Sequence, residues 1–150
     1  MTHMEMKSKL SMRLADLVNA LPLKDGIRVL EIGCGPGAMA REISGRIANG
    51  HVLAIDRSAK AIQQAMMGSK AEIETGRLSF RQAAIEEFDL QPGEKPFDIA
   101  IAVRVGALDG RHPESEKQAL AKIAKALDKE GKLFIDGGNP LKEIDLGTYR

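Results

Sequence analysis

The sequence predicts a doubly wound α/β fold, a mostly parallel sheet with helices on both faces. Three observations predict it. Short strand-like runs, several apolar throughout as in strands buried on both faces, recur at Ile27–Ile32, His51–Asp56, Leu78–Gln82, Phe97–Val103 and Leu133–Asp136. Stretches of helical periodicity lie between most of them, which implies parallel pairing through right-handed crossovers. The first run breaks into a loop with glycine at every second position, Gly33, Gly35 and Gly37, and the loop leads into a helix.

In chain order, Leu10, Leu14, Leu17, Val18 and Leu21 recur at helical spacing and predict a helix over Glu5–Ala20, ended by Pro22, that packs beside the sheet or lids the site. Met1, Met4, Met6 and Met12 lie in or near it and suit core packing or a disordered end better than an adaptable pocket wall. After the glycine loop, Met39, Ile43 and Ile47 share one face of a helix over Ala38–Ala48 that stops at Asn49-Gly50. Ser58 caps a helix carrying Ile62, Ala65 and Met66. Pro113 opens a helix to about Leu127, with Glu114 and Glu116 in its first turn, Lys125 and Lys129 near its last, and Gly131 as its stop.

The 150 residues fit one domain, with an N-terminal helix (1–22), a core (25–137) and a tail (138–150). Hydrophobic residues at 43% suffice for a core, and a formal charge of +1 gives no electrostatic case for nucleic acid or an anionic membrane. Aromatics at 3%, with no Trp, argue against stacking on single strands. A single cysteine, Cys34, excludes an internal disulfide and makes a reducing, cytoplasmic setting the default. No apolar stretch approaches the roughly 20 residues of a membrane span, and the N-terminus lacks the apolar core of a secretory signal.

Open α/β sheets bind ligands at the carboxyl ends of their strands. Glycine serves where φ is positive or where a ligand approaches the backbone. Asp56, ending the second strand, can accept both hydroxyls of a ribose or merely cap the next helix. Glu31 is an acid on a buried strand, costly unless paired, and either a ligand ammonium or a side chain such as Arg13 or Lys24 would pair it.

These residues resemble the class I S-adenosylmethionine-dependent methyltransferases. Glu31-Ile-Gly33-Cys-Gly35-Pro-Gly37 is similar to their first motif and Val52–Asp56 to their second, while Phe97–Val103 and Leu127–Ile135 resemble the fourth-strand and fifth-strand passages. The resemblance covers about residues 25 to 137. It implies S-adenosylmethionine as cofactor and S-adenosylhomocysteine as product, with Asp56 on the ribose diol and Glu31 with Gly33, Cys34, Gly35 and Gly37 around the methionine end. Arg57, Ala84, Ile85, Glu86 and Val103 complete the implied cofactor residues. The family's adenine motif usually carries an acid where Ala84 stands, so either Glu86 reaches the adenine amino group or backbone and Ile85 packing suffice. The chain ends soon after Asp136, too early for the family's usual last helix and hairpin. The sheet is therefore expected to be shortened at its C-terminal end, its fifth-strand edge covered by the tail, where Lys142–Leu146 alternates, or by a second molecule in a homodimer.

A methyl group on sulfonium is already electrophilic, so alignment matters most and a base is needed only for a protonated nucleophile. His112 and Arg104 follow the fourth strand and are candidate base and anion-holder; a helix-leading His and a solvated Arg are the plainer readings. Asn139-Pro140 lacks the rest of the amino-methylating tetrapeptide, and Cys34 lies in the cofactor loop, which argues against covalent cytosine chemistry. The expected function is methyl transfer to a small-molecule acceptor. Two alternatives stand beside it, an NAD-dependent oxidoreductase and a non-catalytic S-adenosylmethionine-binding module. Gly33, Gly35 and Ala38 also fit a dinucleotide fingerprint, but a Glu31 carboxylate would repel a pyrophosphate and attract an ammonium. Pro36 also removes an N–H that a phosphate cradle would use.

Overall fold

The computed structural model describes residues 10–150, in which the five expected strands form one sheet with a sixth added. They are β1 (Arg28–Ile32), β2 (His51–Asp56), β3 (Leu78–Gln82), β4 (Phe97–Ala102), β5 (Leu127–Asp136) and β6 (Leu141–Ile144). Their order is β3-β2-β1-β4-β5-β6, parallel except for β6, which runs antiparallel to β5. Register aligns Ile32 with Ile55 of β2 and with Ala102 of β4, so three strands end level and the chain departs to opposite sides of β1. That crevice is where ligands bind in such sheets.

Period-two alternation distributes the strand residues between two cores. Leu30, Ile32, Leu53, Ile55, Ala100 and Ala102 pack with Ala119, Leu120 and Ile123 of helix Pro113–Ala126. On the other face, Val29, Val52, Ala54, Ile99 and Ile101 pack with Val18, Met39, Ala40 and Ile43. Glu31, two residues from Val29, belongs by alternation to this second face.

Helix α1 spans Met12–Ala20, with Ser11 Oγ accepting from the Leu14 N–H at 3.1 Å; residues 5–9 of the expected helix lie outside the described residues. Helix α2 covers only Ala38–Ser44, not the expected Ala38–Ala48. It ends at Gly45, whose N–H still donates to the Arg41 carbonyl at 3.2 Å, and the chain then turns toward β2. Gly50 is pressed on Ile27, the residue before β1, where a Cβ would lie 2.3 Å from the carbonyl oxygen, and Asn49 before it takes φ +58. Helix α3 (Ala59–Met67) carries the expected Ser58 cap, its hydroxyl accepting from Ala61 N–H at 3.1 Å. A short α4 (Lys70–Glu74) follows, and α5 is Pro113–Ala126.

Gly131 is not a helix stop. Strand β5 begins directly after α5, and Gly131 sits in a bulge: the β4 register advances from Phe97 to Ile99 while β5 advances from Leu127 to Lys132. A Cβ at Gly131 would lie 2.9 Å from Leu127 Cβ and 3.0 Å from the Asp128 carbonyl oxygen, so the bulge requires glycine. The Arg150 guanidinium gathers the carbonyls freed there, donating to Asp128 at 3.1 Å, to Lys129 at 2.7 Å and to Gly131.

The tail covers the fifth-strand edge: Leu141–Ile144 pairs with Leu133–Asp136, and Leu146 is buried. A homodimer through the β5 edge is therefore corrected, because β6 already occupies that ladder. A chain ending at Asn139 is expected to lose about 3 kcal/mol or more with the burial that Ile144 and Leu146 contribute and to aggregate through bare β5. Thermal melts and sedimentation check this, and unchanged stability and solubility would refute it. Among the described residues no helix is long and apolar enough to cross a membrane.

Candidate functional site

The loop after β1 takes the backbone form its glycines permit, with φ +73 at Gly33, +53 at Gly35 and +91 at Gly37. L side chains rarely adopt such angles. The glycines differ in what surrounds them. A Cβ on Gly33 would meet Val105 Cγ2 at 2.9 Å, and one on Gly37 would meet Arg41, Ala65 and Phe80 at 3.1–3.2 Å, whereas Gly35 has nothing within 4 Å. Gly37 is thus a packing and capping residue, and Gly35 presents open backbone. The Gly33 and Cys34 N–H groups donate to the Ile55 carbonyl at 2.9 and 3.0 Å, which ties the loop to the end of β2.

Asp56 engages both neighbouring loops. Its Oδ2 accepts from Gly35 N–H and its Oδ1 from Ser58 N–H, each at 2.9 Å. Capping and ligand binding are compatible here, since each carboxylate oxygen has further acceptor capacity. Arg41 braces the loop from α2, donating to the Pro36 carbonyl at 3.0 Å and to the hydroxyl of fully buried Ser69 at 2.9 Å.

Glu31 is 3% exposed, and its Oε1 is buried without a hydrogen-bond partner. Burial, then the charge of Asp56, pushes its carboxyl up to about 8, against an opposing pull from Arg41. Neither suggested protein partner pairs with it. Arg13 is bound to Asp136 at 2.5 Å, and Lys24 lines a cavity around Asp98 and Gly131, remote from the glycine loop. Burial, then Glu31 and Asp56, also pushes the Cys34 thiol upward, leaving it protonated and weakly donating to the Gly35 carbonyl at 3.6 Å.

Three cavities meet at the carboxyl edge. The smallest, about 210 Å³, is lined by Ile32, Gly33, Asp56, Arg57, Ala83–Glu86 and Arg104–Gly106. A second, about 550 Å³, lies on the α1 side between Glu31, Gly33–Pro36 and Val103, with Ser11, Arg13 and Leu14 as its outer wall. The third, about 470 Å³, lies over the ends of β4 and β5 and is lined by residues including Arg104, Val105, Ile135 and Asp136.

The methyltransferase-domain family model matches residues 23–146. The chain belongs to the methyltransferase-domain family. No protein of curated function matches it. Solved structures share its fold: the [4+2]-cyclase SpnF at 24% identity and TM-score 0.67, covering 82% of this chain and 43% of its own; a methyltransferase from Thiobacillus denitrificans in complex with S-adenosylhomocysteine at 23% and 0.62, covering 82% and 46%; and coclaurine N-methyltransferase, bound to N-methylheliamine and S-adenosylhomocysteine, at 20% and 0.65, covering 81% and 34%. This methyltransferase domain thus spans less than half the length of each of these three.

Against the methyltransferase motifs, the structure gathers Glu31, Gly33, Cys34, Gly35 and Val103 on the second cavity and Asp56, Arg57, Ala84, Ile85 and Glu86 on the first. Gly37 lines neither. Arg104 lines all three cavities. His112 lines none of them; it is the exposed cap residue of α5. Sequence reasoning missed Arg41, Val105 and Asp136, and offered Arg13 as a partner of Glu31 where the structure pairs it with Asp136. The α1 wall had one signal, the Leu10–Leu21 periodicity immediately ahead of the site.

Proposed function

We propose that this protein is an S-adenosylmethionine-dependent methyltransferase acting on a small-molecule acceptor. The observation that carries the reading is Glu31, a buried carboxylate with an unpartnered oxygen on the cavity beside the glycine loop. A ligand ammonium satisfies such a group, whereas a pyrophosphate would aggravate its burial. Open Gly35 and the strand-end carboxylate of Asp56 fit the rest of the same ligand. When bound, the sulfonium supplies an electrophilic methyl carbon, so the chain's task is positioning.

In this reading Asp56 holds the ribose diol while keeping its backbone bonds. Glu31 holds the ammonium, and Ala84, Ile85 and Glu86 frame the adenine, with Arg57 beside Glu86 at 4.0 Å. Val103 and the α1 wall exclude water from the methionine end. A formal charge of +1 supports a small acceptor over nucleic acid, and the buried thiol of Cys34 suits a reducing cytoplasm.

Calorimetry with S-adenosylmethionine, S-adenosylhomocysteine and NAD tests the reading. The first two are expected to bind and NAD to bind at least tenfold more weakly. NAD binding as tightly as S-adenosylhomocysteine would overturn it.

A further inference from the structure

We propose that the methyl acceptor carries an anionic group, a carboxylate or a phosphate, which Arg104 receives at the mouth of the third cavity; this deepens the methyltransferase reading and rests on it. The charges around that cavity are unevenly compensated. Arg111 is paired with Asp109 at 2.5 Å, and Asp136 is paired with Arg13 at 2.5 Å. Among the described residues, no hydrogen bond or ion pair engages the exposed Arg104 guanidinium, so with Asp136 on Arg13 and Asp109 on Arg111 it is the charged group of that lining without a partner.

Its placement is specific. Arg104 lines all three cavities, standing between the cofactor residues and the space over β4 and β5. Its backbone takes φ +56, a left-handed form that a non-glycine residue adopts at a cost. Asp136 Oδ1 accepts from the Arg104 N–H at 3.1 Å and so holds that turn, while Val105 packs on Gly33. An arginine kept in a costly conformation at the junction of the cavities, with its charge uncompensated, is suited to a ligand group of opposite charge. The guanidinium fork matches carboxylate and phosphate geometry.

A carboxylate also occurs on the methionine end of the cofactor, and the test separates the two sources. The full chain is saturated with S-adenosylhomocysteine and titrated calorimetrically with benzoate, its neutral isostere benzamide, and inorganic phosphate. The parent is expected to bind benzoate or phosphate, with benzoate at least tenfold tighter than benzamide if it is the anion bound. Arg104→Gln is expected to lose that binding at least tenfold, with any loss of S-adenosylhomocysteine affinity much smaller than that and matched by 5′-methylthioadenosine. Arg104→Gly, which relaxes the backbone while removing the charge, should behave alike and guards against a folding defect in the first variant. Equal anion binding in parent and variants, or none by the loaded parent, overturns the proposal. A variant that weakens S-adenosylhomocysteine but not 5′-methylthioadenosine overturns it as well, because the anion held is then the cofactor's own. Failure of the parent to bind S-adenosylhomocysteine would instead refute the methyltransferase reading itself.

Discussion

Glu31→Gln is expected to weaken S-adenosylhomocysteine roughly ten- to a hundredfold at pH 8, the scale of a lost charge-assisted hydrogen bond, while leaving 5′-methylthioadenosine nearly unaffected. The second ligand has no ammonium. The same substitution should stabilise the empty protein. With its carboxyl at about 8 in the fold and an ordinary value of 4.5, Glu31 keeps in the folded chain a proton that the unfolded chain releases between those values. Stability of the parent therefore falls as pH rises from about 4.5 to about 8 and is level above, and the Glu31→Gln variant lacks that slope. At pH 7 the difference is about 3 kcal/mol, or about 6–12 °C in thermal midpoint for a domain of this size. Binding has the opposite pH sense, because an ammonium needs the ionised carboxylate. Affinity of the parent for S-adenosylhomocysteine should rise about tenfold per pH unit up to about 8, with release of a proton. Calorimetry in buffers of differing ionisation enthalpy reads both the slope and the proton. Equal losses for the two ligands, or a parent melting point that does not fall between pH 5 and 8, would show Glu31 to be a structural residue.

Asp56→Ala is expected to weaken S-adenosylhomocysteine and 5′-methylthioadenosine alike, by about 1.5–3 kcal/mol, the range for hydrogen bonds to a charged group. Both ligands contain the ribose. Because Asp56 also accepts from the Gly35 and Ser58 N–H groups, the variant should melt lower as well. A cycle with 5′-methylthio-2′-deoxyadenosine isolates the diol. The parent should prefer the ribose form strongly, and Asp56→Ala should lose most of that preference whatever happens to the loop. An undiminished preference in the variant would remove Asp56 from ribose recognition.

What the sequence made legible follows from how local each cause is. The runs Val52–Ile55 and Phe97–Ala102 read as buried strands because burial on both faces leaves an unbroken apolar pattern, and Ser58 read as a cap because the N–H it accepts from is three residues away. Glu31, the alternating glycines and Asp56 stood out because each is anomalous within its own segment. The end of α2 did not, since the apolar face of Met39, Ile43 and Ile47 runs on past Gly45, where the helix stops. Gly131 looked like a stop and is a bulge residue, which only the β4 register reveals. Helix α4 has too few apolar residues to announce itself. Arg13, Arg104 and Asp136 form one cluster from three distant parts of the chain. His112, conspicuous as a lone imidazole after β4, stands apart from the cluster because the turn after Leu108 carries it to the start of α5.

The two cavities that the proposed reading gives to the cofactor lie on opposite faces of β1, one with Ile32 and Ile85, the other with Glu31 and Met39, and share only Gly33 and Arg104. A ligand filling both must pass over the strand end like a saddle strap. Each half then acts as a tether for the other: once one end is seated, the second binds at an effective concentration set by the short span across Gly33 rather than by its concentration in solution. Adenosine and methionine offered as separate fragments should therefore bind far more weakly than the same groups joined. Most of the selectivity for a whole cofactor over its metabolic fragments then arises from the distance across one glycine.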